Sequence, residues 1–190
     1  MFVSRIRLST ARGTRQRAQA LVELAIILPV LALLFLAIVQ FAFIFAAQIG
    51  VTNAVREAAR IAAITPTKSD AEAGATADDV YAVLANPTNG LLKRNVFAFN
   101  AANIVTSGVA DTQVCYRDGP AAAAGEFVVF VKVEAGYRHP MIIPLLGNIL
   151  DGIDGVSDGG LRIASAEEMR VENEILLTAP APAVLECYNP

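Results

Sequence analysis

The chain has 190 residues, of which 55% are hydrophobic and 17% charged, with a formal net charge of −3. Soluble domains average roughly 45–50% apolar and about 25% charged residues, so the apolar excess must be concentrated in one region. Arg5, Arg7, Arg12, Arg15 and Arg17 open the chain without an acid, whereas the other ten basic residues share residues 19–190 with all 18 acids, a formal −8. A nucleic-acid binder carries its basic residues along a folded surface, so nucleic acid is not an expected partner. A basic head on an acidic body instead reads as a topology signal that keeps the arginines on the cytoplasmic side of a membrane.

Residues 1–18 form this basic cytoplasmic leader. From Leu24 to Ile49 follow 26 uncharged residues, interrupted only by Pro29, Gln40 and Gln48. As a helix rising ~1.5 Å per residue the run would span about 39 Å, more than the roughly 30 Å of a bilayer's hydrocarbon. A cleaved secretory signal has an apolar region of only about 7–15 residues ending in a small-x-small site. The end found here, Ile44-Phe45-Ala46-Ala47-Gln48, lacks that pattern. A soluble helix rarely stays apolar on all sides over such a distance. The expectation is a retained transmembrane helix, 24–49, with membrane lipid around it and the rest of the chain extracytoplasmic. Pro29 can kink such a helix without breaking it. Glu23 stands directly before the run. It reads either as an acid favoured by the helix dipole and snorkelling to the headgroups, or as a costly acid kept for a partner.

The stretch Arg17-Ala18-Gln19-Ala20-Leu21-Val22-Glu23-Leu24, with Pro29 in the following run, resembles the N-terminus of type IV pilin-like proteins. More narrowly it is similar to the TadE-like family, minor pseudopilins of tight-adherence (Flp-type) pilus systems. Asn53-Ala54-Val55-Arg56-Glu57-Ala58-Ala59-Arg60 resembles the family's Arg-Glu-Ala-Ala-Arg segment. Ala164-Ser165-Ala166-Glu167-Glu168-Met169-Arg170-Val171-Glu172 resembles its C-terminal Met-Arg-x-Glu strand. The resemblance implies cleavage by a prepilin peptidase between Ala18 and Gln19, with Ala18 where the wider class usually has Gly. It also implies that Glu23, then the fifth mature residue, attracts the free N-terminal amine of a neighbouring subunit. Partners implied are other pilin or pseudopilin subunits and pilus assembly proteins.

The helix is expected to run on from residue 19 to residue 64. Gly50 is its one weak position, costing about 1 kcal/mol against Ala. Val51, Val55, Ala58, Ala59 and Ala62 share one face at helical spacing, suited to packing on a sheet of the same domain. Glu57 can reach Arg60 at i,i+3, and Pro66 should end the helix. Residues 65–80 read as a connection into a short helix, Asp78–Ala85, stopped by Asn86-Pro87.

Phe127, Val129, Val131, Val133 and Tyr137 alternate with Val128, Phe130, Lys132, Glu134 and Arg138, a half-buried strand. Leu161, Ile163, Met169 and Val171 alternate likewise with Arg162, Glu168, Arg170, Glu172 and Glu174. Val114 to Tyr116 makes a third strand. So small a sheet needs a covering helix. The expected class is therefore α+β: a long N-terminal transmembrane helix continuing into a small extracytoplasmic domain, 65–190, with a mainly antiparallel sheet, pilin-like as the resemblance also implies. Between the two best strands, the stretch from Pro140 to Leu150 is too short to span and too apolar for a free loop. It either covers the core or forms an apolar patch for a partner or the membrane surface.

Cys115 and Cys187 outside the cytoplasm read as one disulfide tying the tail to the sheet, with two free thiols as the alternative. Gly155-Val156-Ser157-Asp158-Gly159 has the letters of a hydrolase nucleophile elbow, but that motif needs a histidine later in the chain. The sole histidine, His139, comes earlier and reads as a surface or capping residue. Asp151, Asp154 and Asp158 miss the EF-hand spacing. With neither a Cys/His metal cluster nor a phosphate-binding glycine loop, no cofactor and no enzymatic activity is expected. Two functions remain: an assembly protein of a tight-adherence pilus or related secretion system, or a membrane-tethered binding or enzymatic domain.

Overall fold

The computed structural model describes residues 11–65, 70–107, 111–118, 129–143, 160–172 and 186–188. Arg5, Arg7, Pro66, Phe127, Val128, the apolar stretch 144–150, Asp151, Asp154, Ser157, Asp158 and Glu174 lie outside the described residues. The described elements are helices α1 (Ala11–Ile64), α2 (Asp70–Ala85) and α3 (Leu91–Asn95), a 3-10 turn (Ala101–Asn103), and strands β1 (Ile104–Val105), β2 (Gln113–Asp118), β3 (Val129–Pro140), β4 (Gly160–Arg170) and β5 (Glu186–Tyr188). The class is α+β, as expected: a long apolar N-terminal helix, then a small domain with an antiparallel sheet. Two compact units result, Met1–Gln40 and Phe41–Pro190.

The first unit is the earlier part of α1. Its helix begins at Ala11 rather than at residue 19, because Ala, Arg and Gln are strong helix formers and no proline interrupts them. It continues through Pro29. Every residue from Gln19 to Leu36 is exposed.

In the second unit, strand β3 is the centre of the sheet. Strand β4 pairs with it antiparallel from Phe130↔Arg170 to Pro140↔Gly160. On the opposite edge β2 pairs from Gln113↔Glu134 to Asp118↔Val129, and β1 takes up the remainder at Ile104↔Tyr137 and Val105↔Gly136. Strand β5 adds outside β2. The expected alternation holds. Val131, Val133, Ala135 and Tyr137 of β3 and Ile163 of β4 point into the core, while Ala164, Ala166, Glu168 and Arg170 are exposed.

The later turns of α1 supply the cover that the sheet needs. Val51, Val55, Ala58, Ala59 and Ala62 are fully buried with the sheet's inner face, and their small side chains let the helix lie close to it. Gln40 is already buried, and within the second unit burial begins earlier than expected, at Ile44 and Ala47, on one side of the run, while Phe45 and Ile49 stay exposed. Helix α2 adds Ala77, Val80 and Leu84. It starts at Asp70, eight residues ahead of expectation, because the polar look of 70–79 conceals a helix-compatible series of Ala, Glu and Asp. Asn86 stops it as expected, its Oδ1 accepting from the amides of Thr88 and Asn89 at 2.9 and 3.2 Å.

Gly50 proves to be a requirement of packing. A Cβ there would fall on the carbonyl oxygen of Asn95 in α3, with the carbonyl carbon at 2.8 Å and Val96 Cα at 3.1 Å. Backbone cannot swing aside as a side-chain tip can. Gly50→Ala should therefore lose about 1–3 kcal/mol through overpacking, against a helix-propensity gain of about 1 kcal/mol. Thermal unfolding in detergent should show a lowered midpoint; an unchanged or raised one would contradict the close approach.

His139 corrects the surface reading. It shares the inward parity of β3, so only 3% of it is exposed, and neither ring nitrogen has a hydrogen-bond partner among the described residues. Burial lowers its pKa from the usual 6.5. The folded state then binds its proton less readily than the unfolded state. Stability is complete above the unfolded value and falls as pH drops below about 6.5 toward the depressed folded value. His139→Leu should remove that part of the acid slope, measured as unfolding midpoints between about pH 7 and pH 5.

Candidate functional site

Two places carry the residues singled out in the sequence. The first is the start of the apolar run. Ala18 and Gln19 lie inside α1 with no break in the helix between them. One turn on, Glu23 is exposed and accepts a hydrogen bond from Gln19 Nε2 at 3.2 Å. The i,i+4 spacing puts both on one side of the helix. The structure thus joins, on one exposed surface, the residue after the expected cut and the expected pairing acid. An exposed carboxylate beside a long uncharged surface can pair with a cation brought by another molecule.

The second place joins segments more than a hundred residues apart. Strand β4 runs beside α1 in the same direction. Gln48 Nε2 donates to the carbonyl of Ala164 at 3.1 Å, Arg56 Nε lies 3.8 Å from Glu167 Oε2, and the amide of Glu172 donates to the carbonyl of Ala63 at 2.9 Å. Asn53, Arg56, Glu57, Arg60 and Met169 line an open cleft of about 410 Å³. The Arg-Glu-Ala-Ala-Arg segment and the Met-Arg-x-Glu strand therefore meet. The ion pair formed between them is Arg56–Glu167. With the Arg56 side chain 60% exposed, such a pair is worth about 0–1 kcal/mol and fixes alignment more than stability. The signal for it is the parity of β4, which turns Glu167 to the inner face where an acid needs a partner.

Cys115 and Cys187 face each other across β2 and β5 and are joined as a disulfide. Among the described residues, no cluster of His, Cys, Asp or Glu could hold a metal ion.

A long exposed apolar helix followed by a small domain with an antiparallel sheet is a pilin-like fold with a candidate membrane anchor. Among the described residues one helix is long and apolar enough to cross a membrane, within Gln19–Ile64 at mean hydropathy 2.9. Residues 18–60 match the family model of the TadE-like proteins, the family that the sequence resembles. The matched segment runs from the residue before the expected cut to the end of Arg-Glu-Ala-Ala-Arg. The match covers 43 of the 190 residues, and the TadE-like family is one of pilus structure and assembly. No curated protein and no solved structure matches the chain.

Proposed function

We propose that the protein is a minor pseudopilin of a tight-adherence pilus or related secretion system, inserted with its N-terminus in the cytoplasm and its 41–190 unit outside. The observation that carries this is the TadE-like match centred on an exposed apolar helix, with Glu23 at its threshold. The arginine-rich leader supports the orientation. The crossing segment begins at Leu24; the run has no buried residue before Gln40, and beyond it Ile44 and Ala47 are buried while Phe41, Phe45 and Ile49 stay exposed. A prepilin peptidase removes the leader between Ala18 and Gln19. Glu23 then pairs with the freed amine of a neighbouring subunit, and helix-to-helix contact in the membrane assembles the subunits.

Mass spectrometry of protein recovered from membranes tests the reading. A mature chain beginning at Gln19 is expected when the peptidase is present, and a chain retaining Arg17 when it is absent. An intact leader in both cases would leave the helix as a plain tether.

A further inference from the structure

The free part of the apolar run is short. Between the last charge, Glu23, and the first buried residue of the run, Gln40, stand only Leu24–Val39. As a helix these roughly 16 residues rise about 24 Å, less than the roughly 30 Å of hydrocarbon. A span of this length draws the next part of the chain down to the headgroups.

The near end of the sheet domain is suited to that place. The alignment of β4 with α1, Ala164 beside Gln48 and Glu167 beside Arg56, puts the start of β4 and the end of β3 level with the turn where α1 joins the domain. Ile142, just past β3, is 63% exposed there. Helix α3 reaches the same end from another side. Asn95 abuts Gly50, and Phe97 stacks on Phe43 with ring centroids 5.4 Å apart. Phe97 is still 60% exposed, held in a turn whose next residue, Ala98, has φ 53°, a left-handed conformation that non-glycine residues seldom adopt. Lys93 and Arg94, exposed in the last turn of α3, precede it by a few residues, the Lys93 ammonium lying 5.9 Å from the Phe99 ring centroid.

We propose that this end of the domain, carried by Phe97 with Lys93 and Arg94 and by Ile142, is seated in the headgroup layer of the membrane. Its occupant is the lipid surface: aromatic rings favour the interface, and basic side chains next to them meet lipid phosphates. Continuity with the crossing helix selects lipid over a protein partner. The proposal rests on the membrane-anchor reading.

The chain has no tryptophan, so Phe97→Trp creates a single probe. The full-length variant would be reconstituted in phosphatidylcholine–phosphatidylglycerol vesicles, with Phe35→Trp as a second, separate variant. Lipids spin-labelled near the headgroup should quench the Phe97→Trp emission, as for an interfacial aromatic, and lipids labelled deep in the chain much less. Phe35→Trp should show the reverse order. Adding Lys93→Gln and Arg94→Gln should weaken the shallow quenching of the Phe97→Trp probe. Full quenching by aqueous acrylamide with none by labelled lipid would overturn the proposal. So would shielding from both, which would mean that protein covers the surface. If Phe35→Trp is not quenched by deep label, the anchor itself is wrong, a failure distinct from that of the seat.

Discussion

Glu23→Ala is expected to leave the protein folded and inserted while removing it from its complex with other pilus subunits. Within the chain Glu23 meets Gln19, at 3.2 Å on an exposed surface. Its loss cannot disturb a sheet domain that begins at Phe41, and insertion depends on the uncharged run beyond it. The proposed role lies between molecules. A carboxylate and an amine about 4 Å apart attract by about 4 kcal/mol at an effective dielectric near 20. Desolvation offsets part of this. Even half the figure left over is more than a tenfold change in association. The fraction recovered with pilin subunits after mild extraction should therefore fall by at least about tenfold, with the membrane-bound total unchanged. Glu23→Gln should fall nearly as far, because it keeps a polar group but loses the charge. Normal recovery of both variants would favour the plain tether. Loss of the protein from membranes would instead show that Glu23 serves insertion.

The parts of the fold legible in the sequence are those whose cause is local. The alternation along β3 and β4 reports which side of each strand is buried, and the patterns hold from Val131 to Ala135 and from Ile163 to Val171. The spacing of Val51, Val55 and Ala58 likewise marks the packed face of α1. Helix α3, β1 and β5 leave no such mark, because elements of two to five residues owe their form to neighbours. Gly50 reads as a flaw in the sequence because its justification, the backbone of Asn95, lies 45 residues further along the chain. His139 misleads for a related reason. Its polarity suggests the surface, yet strand parity sets its direction regardless of chemistry. At the candidate site, Glu23 is legible from its position against the apolar run. The meeting of Arg56 with Glu167 depends on the alignment of a helix with a distant strand, which no local pattern encodes.

The disulfide should carry the largest single share of the domain's stability. Cys115 and Cys187 are 72 residues apart in sequence, and closing so long a loop restricts the unfolded chain by about 4 kcal/mol on the entropy model. Domains of this size are stable by only about 5–15 kcal/mol. The contact that holds β5 is otherwise small: three residues pair with β2 at an edge of the sheet. Cys187→Ser is the cleaner variant, since Cys187 is exposed while Cys115 is fully buried and its replacement would also disturb packing. Denaturant unfolding of the full-length protein in detergent should show Cys187→Ser less stable by several kcal/mol, on the order of the loop term. Reductant should lower the wild type to the same level and leave the variant where it is. If reductant changes neither, the bridge contributes little and β2, β3 and β4 hold the unit alone. The same pair bears on orientation, because such bonds persist on the oxidising side of a membrane and are reduced in the cytoplasm. Protein taken directly from membranes into denaturant and a thiol-reactive maleimide should remain unlabelled until reductant is added. Labelling of both cysteines without reductant would put the sheet on the cytoplasmic side and reverse the proposed topology.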